Sequence, residues 1–113
     1  MVENYVKIIG DATGAKGQNV EWFATDLKSE MTEQFAAAKF RITLAVSAAV
    51  SVQITLDSGT TWLALNEGSA LVADAIYMFD VGVRQTDNFN MRTTDSSGCT
   101  IRRCAVSEVS MEG

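Results

Sequence analysis

The sequence predicts an all-β chain, a single-domain antiparallel β-sandwich or small barrel. Three observations lead there. Apolar and polar residues alternate with a period of two over several stretches beyond Phe40, the pattern of half-buried strands. Turn-forming clusters separate these stretches: Asp57-Ser58-Gly59, Asn66-Glu67-Gly68-Ser69 and Asp95-Ser96-Ser97-Gly98. Turn signals recur about every 8–12 residues between the β-rich runs, as in small antiparallel domains. No strand–helix–strand rhythm and no internal repeat is present, and 113 residues suit one domain over residues 1–113.

In chain order, Tyr5-Val6-Lys7-Ile8-Ile9 is a short strand. Residues 10–17 hold Gly10, Gly14 and Gly17 with little to bury, which predicts a flexible glycine-rich loop behind an N-terminal arm. Residues 20–25 form a further strand. Ser29, Thr32 and Glu33 supply a cap and first-turn acids for one short helix near residues 29–38, in competition with a strand starting at Phe35.

The clearest alternation follows. Phe40, Ile42, Leu44 and Val46 share one face, and Arg41, Thr43, Ala45 and Ser47 the other. Val50, Val52, Ile54 and Leu56 then alternate with Ser51, Gln53, Thr55 and Asp57. A tight turn near Ala48-Ala49 predicts that these two strands pair as a hairpin. Further strands are expected over 60–65, 76–84, 88–94 and 100–109. Ile42, Leu44, Val52, Ile54, Phe79 and Val81 are the expected buried residues.

Composition excludes several chemistries. No His is present, which removes His-based zinc sites and any triad or dyad with a histidine base. A net charge of -5 argues against a general nucleic-acid binder. The stretch from Phe40 to Leu56 is interrupted by Arg41, Thr43, Ser47, Ser51 and Gln53, too polar and too periodic for a membrane helix. Met1-Val2-Glu3-Asn4 leads into no apolar run of signal-peptide length, so synthesis in a cytosol is expected. Cys99 and Cys104, five residues apart, fall on opposite faces of a straight strand. They are therefore expected to be two reduced packing thiols. No cofactor and no metal is expected.

Leu56-Asp57-Ser58-Gly59-Thr60 resembles the Asp-Ser/Thr-Gly signature of aspartic proteases. That likeness implies a retroviral-type homodimer in which two Asp57 carboxylates share a proton. The hydrophobic-hydrophobic-Gly segment that such enzymes carry late in the chain is missing here. Its one match, Ile8-Ile9-Gly10, lies upstream. Turn chemistry accounts for Asp-Ser-Gly equally well and is the preferred reading. Asp74, Asp80 and Asp87 lack the spacing of a calcium loop. Trp22, Trp62 and Tyr77 raise a carbohydrate-binding β-sandwich module as a further alternative, with Tyr77 read as core.

Charge is unevenly placed. Between residues 57 and 87 five acids (Asp57, Glu67, Asp74, Asp80, Asp87) face Arg84 alone, whereas Arg92, Arg102 and Arg103 outnumber Asp95 from 92 to 103. These three arginines are the candidate protein interface, matched to acids of a neighbouring subunit.

Residues 52–109 share a layout with a known class. Ile54-Thr55-Leu56-Asp57-Ser58-Gly59-Thr60-Thr61-Trp62 is followed by Asn66-Glu67-Gly68 and Ala70-Leu71. Tyr77-Met78-Phe79-Asp80-Val81 and Asp87-Asn88-Phe89-Asn90-Met91-Arg92 come next, before a closing strand. The layout resembles small β-sandwich virion proteins of tailed bacteriophages, those that decorate capsids or line head–tail junctions. The resemblance implies a non-enzymatic virion protein, made in the host cytoplasm and present in many copies. Its implied partners are major capsid or head–tail proteins and its own copies, with no nucleic acid and no membrane.

Overall fold

In the computed structural model, which describes residues 6–30, 37–84 and 86–110, two antiparallel sheets face each other. The strands are β1 (Val6–Asp11), β2 (Gly14–Lys16), β3 (Ala37–Val46), β4 (Val52–Thr55), β5 (Leu63–Ala64), β6 (Tyr77–Arg84), β7 (Asn90–Thr93) and β8 (Cys99–Ser110). The large sheet runs β1-β8-β3-β6, with β2 also on β8, and the small sheet runs β5-β4-β7. The all-β expectation holds. The N-terminal arm falls in part on residues 1–5, and the short helix in part on 31–36, outside the described residues.

One apolar cluster fills the space between the sheets. Phe40, Ile42, Leu44 and Val46 of β3 enter it from one side, and Val52 and Ile54 of β4 and Met91 of β7 from the other. Phe79 and Val81 pack against this cluster but are only half-buried, because they lie on β6, the last strand of the large sheet. Each fully buried aliphatic or aromatic side chain contributes about 1.5–3 kcal/mol.

Alternation told which face of each strand is buried but not which strand is its neighbour. β3 and β4 are not a hairpin. β3 is held on both sides, by β6 and β8, so residues 47–51 carry the chain across to the small sheet. Packing the two apolar faces against each other buries both, which a hairpin within one sheet cannot do. At the crossing Thr100 N donates to Ser47 Oγ at 2.9 Å and Ser47 N to Thr100 O at 2.9 Å.

Two further expectations change. The glycine-rich stretch 10–17 is largely strand: Gly10 and Asp11 end β1, and β2 follows on the same partner. Residues 20–25 are not a strand but an irregular strap along the outer edge of β7. Trp22 N donates to Met91 O at 2.9 Å, and Leu27 and Phe89 exchange both backbone bonds at 2.8 Å. Asn90 replaces the missing ladder, because its side-chain Nδ2 donates to Phe23 O at 2.9 Å and its Oδ1 accepts from Phe23 N at 3.1 Å. Over 60–65 the regular strand shrinks to Leu63–Ala64.

The turns use the expected chemistry. At Gly98, with φ +66°, a Cβ would sit 2.3 Å from Lys16 O, so only glycine lets the β7–β8 turn lie against β2. Asp95 closes that turn by accepting from Ser97 N at 3.0 Å. No helix among the described residues is long and apolar enough to cross a membrane.

Candidate functional site

β8 changes parity in its middle. Cys99 and Ile101 point inward, and so do Cys104, Val106 and Glu108. The intervening Arg102 and Arg103 are both exposed. The register with β3 slips at the same place, from Ala45 opposite Arg103 to Val46 opposite Ile101. This is a β-bulge, one extra residue that turns two successive side chains outward. It also overturns the expected placement of the cysteines. Both face the interior, because the bulge adds the half-period that a straight strand lacks. They are free and buried.

Arg102 forms a surface ion pair with Asp74 at 3.2 Å, with side chains 58% and 63% exposed. Arg103 beside it has no ion-pair partner among the described residues. Arg92 is elsewhere. It sits on β7 of the small sheet, donates from Nε to Gln53 Oε1 at 2.9 Å, and lays its guanidinium over the Trp62 ring at 4.1 Å. The structure therefore joins Arg102 to Arg103 and separates both from Arg92.

The aromatic residues do not form one platform. Trp22 is buried. Trp62 is half-buried with Arg92 across one ring face, a cation–π contact that occupies the surface a sugar would stack on. Tyr77 stacks on Phe79 at 5.8 Å, and its hydroxyl accepts from Val72 N at 2.9 Å.

Asp57 builds its turn. Its Oδ1 accepts from Thr61 N at 2.7 Å and from Thr55 Oγ1 at 2.8 Å. The bond from Thr61, then that from Thr55, hold the carboxyl below the usual aspartate range. Gly59 follows with φ +90°, and Ser58 Oγ donates to Asp26 Oδ2 at 2.9 Å.

Three acids of the 57–87 region, Asp74, Asp80 and Asp87, lie beside cations. Asp80 accepts from Arg41 Nε at 2.9 Å, with Lys39 Nζ at 3.7 Å. Asp87 lies 3.9 Å from Arg84 Nε and accepts from Arg84 N at 2.9 Å. Among the described residues no group of three or more His, Cys, Asp or Glu side chains is arranged to hold a metal ion.

Sequence reasoning missed Glu108. It is fully buried, and its Oε2 accepts from Ser29 Oγ and, at 2.9 Å, from Glu30 N. The carboxylate thus ties the segment before β3 to the end of β8. The signal was present, since Glu108 shares its parity with Val106 and Cys104. No protein-family model and no curated protein sequence matches this chain.

Proposed function

We propose that the chain is a non-enzymatic structural protein of a virus particle, acting as a capsid decoration protein that binds neighbouring capsid subunits in many copies. The observation that carries this reading is the bulge at Arg102 and Arg103. A bulge re-aims side chains at the cost of a disrupted ladder, and here it presents two adjacent guanidinium groups on the open face of the large sheet. Arginine forks suit carboxylates at interfaces between proteins. The Arg102–Asp74 pair is exposed on both sides and contributes little by itself, so a partner carboxylate can exchange with Asp74 at small cost.

The resemblance of residues 52–109 to small virion sandwiches supports the same reading. Binding then proceeds by surface complementarity, with no cofactor and no covalent step. The interface centres on Arg102 and Arg103, and Arg92 serves the small sheet through Trp62 and Gln53. The experiment is to purify particles from the chain's own source and quantify its peptides against the major shell protein. A fixed ratio in intact particles supports the proposal, and absence from particles refutes it.

A further inference from the structure

β6 is an open edge of unusual regularity. Its register with β3 runs without a shift from Ala37 opposite Arg84 to Leu44 opposite Tyr77, and no described strand pairs with its other side. The other edges are blunted. β1 carries a register shift between Ile8 and Gly10 and stops before β2, β5 has two residues, and the 19–27 strap covers β7. Natural sheets protect a free edge with charged side chains, proline or a bulge; β6 has no proline and no bulge, and its two charges, Asp80 and Arg84, are engaged by Arg41 and Asp87 of the same chain.

The groups facing outward on that edge can be named. Arg84 N donates to Asp87 Oδ2 at 2.9 Å and Arg84 O accepts from Asp87 N at 3.0 Å, away from β3. Peptide groups alternate sides along an antiparallel strand. Met78, Asp80 and Gly82 therefore turn their N–H and C=O groups to the open side.

We propose that β6 pairs antiparallel with β6 of a second copy, about a two-fold axis beside Asp80. This register engages the backbone of Met78, Asp80 and Gly82 completely, Met78 opposite the partner copy's Gly82. Sliding the axis to Val81 or Gly82 requires the peptide groups of Arg84, which Asp87 already holds. Side chains fit the same register. Met78 is 63% exposed, and Gly82 lies outside the positive-φ region with open space where a Cβ would be, so no described residue calls for glycine there. A strand-interior glycine marks close approach by another backbone, and the long Met78 side chain would lie across it. On the inner face Phe79 would oppose Val81, covering two residues that the small sheet leaves half-buried.

Charge permits a second copy. Two Asp80 carboxylates facing each other repel when bare, but each is already paired with Arg41 and Lys39 of its own chain, so no bare carboxylates meet at the axis. The inference does not rest on the particle assignment, since a dimer that never enters a particle leaves it standing.

The test is sedimentation of the full chain together with two single substitutions, Met78→Cys and Gly82→Cys. The wild type should show a concentration-dependent doubling of mass, and Gly82→Lys, whose side chain has open space in its own chain, should remain folded by circular dichroism and monomeric. Paired residues of this kind have Cα atoms about 5.5 Å apart, within disulfide reach of about 4.4–6.8 Å. Mixing the two cysteine variants under oxidation should give a cross-linked heterodimer that neither gives alone. A wild type that stays monomeric at about 1 mM, a folded Gly82→Lys that still dimerises, or a mixture that cross-links no more than its components would each overturn the proposal.

Discussion

Phe40 of β3 and Phe89 beside β7 meet edge to face across the two sheets, with ring centroids 5.4 Å apart and planes at 79°. Both are essentially unexposed, and the geometry is the one that aromatic quadrupoles favour. This contact joins the sheets near the middle of the core. Phe89→Ala is expected to cost about 3–5 kcal/mol. Urea unfolding checks this, as a lower midpoint at an unchanged slope.

The cysteines predict an alkaline limit. Burial, and secondarily the charge of Asp11, pushes the Cys104 thiol up to about 12. Burial, with Asp95 second, raises Cys99 as well. A group whose folded pKa is raised leaves stability intact below its unfolded value, about 8.5 for cysteine. Stability is then lost as pH climbs from there toward about 12, because the unfolded chain releases the proton first. Thermal melts between these limits should fall with pH, and Cys104→Ala should flatten the fall. Thiol reagents should label neither cysteine in the native state and both in denaturant.

Asp80 predicts an acid limit. Its hydrogen bond from Arg41, then the charges of Arg41 and Lys39, lower its carboxyl below the ordinary value. Stability from this group is present above the unfolded aspartate pKa, about 3.9, and is lost as pH falls through the folded one. Melts below about pH 4 should therefore be less steep in Asp80→Asn than in the wild type. Added salt should weaken the contrast, since the pair is partly exposed.

Asp57 is expected to act through its turn. Asp57→Asn keeps an oxygen to accept from Thr61 N, whereas Asp57→Ala loses that bond and the one from Thr55. The alanine variant should melt lower than the asparagine variant, and Asp57→Asn should leave the folded spectrum unchanged. An equal loss in both would mean that the charge, not the acceptor, organises the turn.

The limits of the sequence reading follow from what alternation encodes. Phe40, Ile42, Leu44 and Val46 announce one buried face, and the structure buries all four. The same pattern carries no record of partners, so Val46 and Val52 looked like two sides of a hairpin and instead belong to different sheets. Trp22 and Phe23 looked like strand residues because they are apolar. They are buried, but the side chain of Asn90 holds their backbone, a long-range contact that no local pattern reveals. The bulge at Arg102 and Arg103 was legible in principle. Ile101 and Cys104 are three apart, and two apolar inward residues at an odd interval require an extra residue between them. Reading the strand as straight hid the bulge, and with it the orientation of both cysteines.

The most direct measurement is particle occupancy of a charge-reversed chain. Arg102→Glu with Arg103→Glu alters two exposed side chains and should leave the isolated domain folded, as circular dichroism and the melting curve would show. Mass spectrometry of purified particles should then find the wild-type chain at a fixed ratio to the shell protein and the double variant absent. Equal occupancy of the two, with both folded, would contradict the account.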